Sequence, residues 1–193
     1  MSEVELNPTV DGYRGSIGRL VFKRYKGRTI VGKKPVRTKE AGMEQLARQE
    51  RFKEAVAYAK SVLANPALRE FYKPIAFQRD ISIYACALGD FLKLPHIKPL
   101  NLDNYQGRIS DTIAIRATDD IGLAELEVKI SAQDGRLIER GNAVENGTGS
   151  GKWTYTATAQ VALGSDIFIE VEGVDHAGNV VKITENPTVG MED

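Results

Sequence analysis

Near residue 109 the spacing of apolar residues changes from about 3.6 to 2, and one kind of secondary structure cannot satisfy both periods. Upstream, Phe52, Ala55, Val56, Ala59, Val62 and Leu63 recur at three- and four-residue steps, which places them on one face of a helix over 41–63. Downstream, apolar and polar residues alternate through Ile113, Ile115 and Ala117, then Leu126, Val128 and Ile130. They alternate again through Trp153, Tyr155 and Ala157 and through Ile167, Ile169 and Val171. The chain therefore reads as α+β, with a helical part followed by an all-β part.

Turn chemistry divides the second part. Asp119-Asp120-Ile121-Gly122, Asp134-Gly135, Asn146-Gly147 and Asp175-His176-Ala177-Gly178-Asn179 separate the alternating runs. With 137–143 and 180–184 they predict six or seven short antiparallel strands, the spacing of a β-sandwich with Trp153 in its core.

In the first part, Leu20-Val21-Phe22-Lys23-Arg24-Tyr25 and Arg28-Thr29-Ile30-Val31-Gly32 flank Lys26-Gly27 and predict a hairpin. An isolated hairpin is marginal in water, so this one has to pack on the helices or on a partner. Asn65-Pro66 supplies a cap and a first-turn proline for a second helix, which Pro74 is expected to end or kink. A third helix is expected from about Ile81 to Leu92, and Pro95-His96-Ile97-Lys98-Pro99 then reads as a stiff link. The expected division is an extended arm over 1–18, a basic hairpin and three-helix domain over 19–99, and a sandwich over 100–193.

Charge supports a boundary near 100. Residues 1–100 hold 19 Lys+Arg against 10 Asp+Glu and residues 101–193 hold 7 against 16, so the halves carry +9 and −9 within a neutral chain. The beginning Met1-Ser2-Glu3-Val4-Glu5-Leu6 shows no basic region followed by an apolar run, and no apolar stretch approaches the length of a membrane span. The expected location is the cytoplasm or an assembled particle. Cys86 is the only cysteine, so no intrachain disulfide can form, and its apolar neighbours predict a buried core thiol.

Constellations for catalysis are scarce, and the chain reads as a non-enzyme without a cofactor. His96 falls between prolines and His176 in a tight turn, neither of which promises a pocket. Gly147-Thr148-Gly149-Ser150-Gly151-Lys152 has glycines but not the spacing of a phosphate loop, and a β-turn loop accounts for it. Asp119, Asp120 and Asp175 sit at expected strand ends and are weak candidates for calcium, against a plainer role of bonding their own turns.

The most informative feature is basic. Lys23, Arg24, Lys26, Arg28, Lys33, Lys34, Arg37 and Lys39 are interleaved with Phe22 and Tyr25. That pattern suits docking on an acidic protein surface, including the acidic half of a second copy, and it also suits phosphate contact with base stacking.

The segments Ile113-Ala114-Ile115-Arg116-Ala117-Thr118-Asp119-Asp120, Trp153-Thr154-Tyr155-Thr156-Ala157 and 169–179 resemble bacterial Ig-like and fibronectin-III-like domains. The segments Gly15-Ser16-Ile17-Gly18-Arg19-Leu20-Val21-Phe22, Lys26-Gly27-Arg28-Thr29-Ile30-Val31, Lys34-Pro35-Val36-Arg37 and Gln45 through Phe52 are similar to small uncharacterised bacterial proteins of the Bacteroidetes type. The resemblance implies an Ig-like fold for the sandwich and transfers no catalytic residue. The expected role is a structural or adaptor protein, with a component of a phage or phage-tail-like particle as its setting; the alternative is a nucleic-acid-binding protein using the basic hairpin.

Overall fold

The computed structural model describes residues 2–3, 14–35 and 42–190. The chain divides into two units, residues 1–46 and 47–193.

The first unit is an antiparallel sheet of β1 (Ser2–Glu3), β2 (Gly15–Ile17), β3 (Leu20–Tyr25) and β4 (Arg28–Lys33), in the order β1-β4-β3-β2. The hairpin forms where the sequence predicts it. Tyr25 pairs with Arg28 across Lys26 and Gly27, whose φ values of 47° and 80° match a two-residue turn that follows the twist of the strands. The expectation of an extended arm over 1–18 needs correcting at both ends, since Ser2 and Glu3 already pair with Val31 and Ile30 of β4. Gly18, at φ 58°, turns the chain so that Ile17 pairs with Leu20, and 15–17 become a sheet strand. The rest of that expectation, over 4–13, lies outside the described residues.

The second unit joins a helical layer to a β-sandwich. Its helices are α1 (Met43–Ala64), which begins just before the division, α2 (Pro66–Gln78) and α3 (Ile83–Leu92). Asn65 caps α2 by accepting from the Ala67 and Leu68 amides, and Ser82 caps α3 by accepting from the Ala85 amide, which moves the start of α3 two residues beyond Ile81. Pro74 does not end α2. The proline removes one backbone bond, but Ile75 and Ala76 beyond it pack in the helical core, and that burial carries the helix on to Gln78. The core of this layer is Ala59, Val62, Tyr72, Ala76, Cys86 and Ala87. No helix among the described residues is long and apolar enough to cross a membrane.

The sandwich has two antiparallel sheets. One is β5 (His96–Ile97), β6 (Thr112–Thr118), β10 (Lys152–Thr156) and β9 (Val144–Glu145), in the order β5-β6-β10-β9. The other is β12 (Val180–Glu185), β11 (Ile167–Asp175), β7 (Leu123–Ala132) and β8 (Leu137–Asn142), in the order β12-β11-β7-β8. Ile113, Ile115, Ala117, Trp153 and Tyr155 face Leu126, Val128, Ile130, Ile167, Ile169 and Val171 in one apolar core, as their alternation predicts. The fold class is α+β.

Two expectations about the middle of the chain are corrected. The segment 95–99 is no free link: His96 and Ile97 pair with Thr118 and Ala117 as an edge strand, and Ile97 is buried in the sandwich core. The boundary between units falls at 46/47 and not at 99/100. The change in charge near 100 marks a change of fold class, whereas the helices pack on the sandwich. Arg51 donates to the Phe91 carbonyl and to Asn179 Oδ1, Tyr58 donates to the His176 carbonyl, and Ile121 of the β6–β7 turn packs on the helical core.

Candidate functional site

The residues expected to bind a partner lie in the N-terminal sheet, and its register sorts them onto two faces. Phe22 lies between Gly15 and Val31; Arg24 opposite Thr29 and Lys33 opposite Leu20 share that face. Lys23 opposite Ile30, and Tyr25 opposite Arg28, are on the other face. Lys26 is at the turn, its ammonium 5.6 Å from the centroid of the Tyr25 ring. Lys34 follows β4, and its amide donates to the Arg19 carbonyl at 2.7 Å. Arg37 lies outside the described residues.

The stretch from β2 to the end of β4 is cationic, whereas β1 carries Glu3 beside Ile30. Residues 14–35 hold eight Lys+Arg and no Asp or Glu, and Lys23, Arg24, Lys26, Arg28, Lys33 and Lys34 are all exposed. Phe22 is half-buried, while Tyr25 is 61% exposed and Ile17 and Leu20 are exposed as well. None of these residues belongs to either apolar core of the second unit. The arrangement offers charge, one exposed aromatic ring and some apolar surface, with no group poised for covalent chemistry.

The three weak calcium candidates have partners within the protein. Asp119 Oδ2 accepts the Ile121 and Gly122 amides, each at 3.1 Å, which is the plainer turn role. Asp120 accepts from Arg79 Nη1 at 2.6 Å and from the Lys93 ammonium. Burial alone would raise its carboxyl, but those two cations outweigh it and hold the group below the usual carboxylate range. Asp175 accepts the Asn179 amide and the Asn179 side chain, each at 2.7 Å. Apart from Asp119 Oδ1, which is buried without a hydrogen-bond partner among the described residues, their oxygens serve turns and ion pairs, and among the described residues no three acidic, histidine or cysteine side chains converge as metal ligands.

The glycine-rich loop is likewise accounted for. The Gly149 and Gly151 amides, which a phosphate would need, donate to the Glu145 carboxylate at 3.0 Å each. His96 is exposed. The His176 ring lies 4.4 Å from that of Phe71, tilted by 43°, and burial lowers its pKa.

With this geometry in view, comparison with known proteins adds little. No protein-family model and no curated protein matches the chain. Among solved structures, CopC from Methylosinus trichosporium OB3b is similar at 14% identity over 49% of this chain and 91% of its own, with a TM-score of 0.38. An engineered protein is similar at 14% identity over 51% of this chain and 20% of its own, also at 0.38. A conjugate transposon protein (27-141) from Bacteroides vulgatus is similar at 16% identity over 51% and 85%, at 0.26. Similarity at this level says nothing about function, and the sandwich stands on its strand pairing.

Two buried carboxylates escaped the sequence reading. Asp90 on α3 is fully buried, its Oδ2 accepting from the Tyr72 hydroxyl at 2.5 Å; the Tyr58 hydroxyl lies 2.9 Å from that of Tyr72. Burial, followed by the charges of Asp119, Asp175 and Asp120, raises Asp90 to about 6 against the lowering effect of Tyr72. Glu139 of β8 accepts at one oxygen from the Tyr155 hydroxyl at 3.0 Å, from the Thr158 amide at 2.6 Å and hydroxyl at 2.7 Å, and from the Ala159 amide at 3.1 Å. Glu139 reaches the inner face because it pairs with Ile130, whose side chain is in the sandwich core, a pairing that the sequence of β8 does not reveal.

Proposed function

We propose that this chain is a non-enzymatic structural or adaptor protein whose N-terminal sheet docks on an anionic partner while the α+β unit is the body it presents. The observation that carries this reading is the run of eight cations without an acid over residues 14–35, displayed on an exposed sheet. Residues 47–193 hold 16 Lys+Arg against 21 Asp+Glu, so a second copy supplies countercharge. A component of a phage or phage-tail-like particle is a setting that suits a chain built as a docking sheet plus a compact body.

Size-exclusion chromatography with light scattering on the full chain tests it. The reading expects species larger than the 21.2 kDa monomer at low salt, which dissolve at high salt and are lost when Arg24, Lys33 and Lys34 are changed to glutamine. A chain that stays monomeric at every salt and binds neither poly-glutamate nor duplex DNA would refute it.

A further inference from the structure

We infer that the outer face of the β5-β6-β10-β9 sheet holds a binding row, Lys98, Arg116 and Lys152, for a helix of a partner protein that carries carboxylates one turn apart. This surface belongs to the body, and its role is independent of the docking proposed for the N-terminal sheet.

Register builds the row. Arg116 pairs with Lys152 on one side, and on the other the Lys98 amide donates to the Arg116 carbonyl at 2.9 Å. Their chain neighbours Ile97, Ile115, Ala117 and Trp153 are buried in the sandwich core, so strand alternation sends the three cations outward, and all three are exposed. Like charges directly opposite one another destabilise a sheet. Elsewhere the sandwich offsets such charges: Arg140 holds Glu127, and Lys182 holds Glu170 and Glu172. Lys98, Arg116 and Lys152 have no ion pair or side-chain hydrogen bond among the described residues. The other outward positions of β6 and β10 are Thr112, Ala114, Thr118, Thr154 and Thr156, and the acid of β9, Glu145, is turned to the Gly149 and Gly151 amides. A repulsion that nothing in the chain offsets points to a ligand that does.

Spacing selects the partner. Neighbouring strands lie about 4.8 Å apart, so the row is about 10 Å long. A helix rises about 1.5 Å per residue, so carboxylates at i, i+4 and i+7 share one face and span about 10.5 Å. In an extended segment, carboxylates on one face repeat about every 6.8 Å and three of them span about 14 Å, which overruns the row. Residues 101–193 hold 7 Lys+Arg against 16 Asp+Glu, which repels a long polymer charged at every step such as duplex DNA, whereas a short acidic helix meets the row alone. Trp153 and Tyr155 of β10 face the core, so no ring stands beside the row to stack on bases. A second copy is a poorer occupant, because Glu127, Glu170 and Glu172 on its other sheet already hold Arg140 and Lys182.

Amide NMR of the isotope-labelled full chain, titrated at low salt with an alanine-rich helical peptide bearing glutamates at i, i+4 and i+7, tests the row. Signals of 97–98, 115–117 and 151–153 should shift along one saturable curve and return when salt is added. An exposed ion pair is worth about threefold in affinity, so Lys98→Gln, Arg116→Gln and Lys152→Gln together should weaken binding about 30-fold. Exchanging them as Lys98→Arg, Arg116→Lys and Lys152→Arg should keep it, and Arg136→Gln should leave it unchanged. The same peptide with its glutamates spread round the helix brings one carboxylate to the row and should bind about tenfold more weakly. Relieved of its repulsion, the glutamine variant should unfold in urea at the midpoint of the parent or above it; a lower midpoint would show that these cations serve the fold and would overturn the inference. Equal binding of the two peptides, or row signals that do not move, would overturn it as well. A tighter response of the row to a DNA duplex, or salt-sensitive self-association that the glutamine variant loses, would refute the acidic helix as its partner. Shifts confined to 14–35 would refute the row and leave the docking role of the N-terminal sheet standing.

Discussion

Asp90→Asn should stabilise the protein above pH 7 and leave it nearly unchanged near pH 4. Asp90 is fully buried, one of its oxygens accepts from Tyr72 and the other has no hydrogen-bond partner among the described residues. Burial raises its carboxyl from the ordinary 3.8 to about 6. A group whose folded pKa lies above its unfolded value contributes stability that is complete below about 3.8 and is lost as pH rises through about 6. Two pKa units at 1.36 kcal/mol each set an upper bound of about 3 kcal/mol for that loss. Asparagine keeps an oxygen for the Tyr72 hydroxyl and gives up about 1 kcal/mol of charge assistance, leaving a net gain of about 1–2 kcal/mol at pH 8. Urea unfolding at pH 4, 6 and 8 measures it, with fluorescence of Trp153, buried in the sandwich core, and helical ellipticity followed together. A variant less stable than the parent at pH 8, or a difference that does not vary with pH, would show that the ionised carboxylate is well satisfied and refute the argument.

Two further predictions concern packing. Gly107 has a φ of 77°, and a Cβ there would lie 2.6 Å from Val189 Cγ1 and 2.9 Å from the Val161 carbonyl oxygen, so Gly107→Ala should cost about 2–5 kcal/mol in thermal or urea unfolding. Gly135→Ala, at φ 84° with open space around it, should cost only the backbone term of about 1–2 kcal/mol; equal losses at the two sites would contradict the steric account. Glu139→Ala strips the acceptor from Tyr155, Thr158 and Ala159 and should cost about 3 kcal/mol or more, with Tyr155 and Trp153 emission changing together; a loss under about 1 kcal/mol would mean that water replaces the carboxylate.

The sandwich was legible because its strands are buried on one face, so alternation at Ile113, Ile115 and Ala117 or at Ile167, Ile169 and Val171 translates directly into inward-facing side chains. The Asn65-Pro66 helix start was legible for an equally local reason, the bond from the cap side chain to the next amides. Pro74 does not stop the helix because the loss of one backbone bond is local, while the burial of Ile75 and Ala76 that offsets it is tertiary. Ile97 misled in the same way, since prolines on either side hide a two-residue edge strand. Asp90 and Glu139 carry no signal at all in the sequence: an acidic residue becomes a core residue only when distant hydroxyls and amides come to meet it. The basic hairpin was legible as a list of cations, but their division between two faces and a tip follows from the register.

The same structure changes what the charge of the chain means. Read by halves, the first hundred residues carry a surplus of nine cations, and all of them could be supposed to face a partner. Residues 47–100 contribute 9 Lys+Arg against 5 Asp+Glu to that surplus, and they belong to the body. There Arg79 and Lys93 converge on Asp120 of the sandwich, Arg79 also binding the Asp120 carbonyl at 2.7 Å, and Arg51 is bonded to Phe91 and Asn179. Part of the positive charge of the helices therefore joins the helical layer to the acidic sandwich, and a salt titration that weakened it would loosen the body and not only release a partner. Residues 1–46, with 10 Lys+Arg against 5 Asp+Glu, are basic in their own right, and the acids of that stretch fall wholly outside 14–35. On the proposed reading a partner attracted by charge meets the hairpin sheet, and salt dependence measured on hairpin variants would separate its binding from the cohesion of the body.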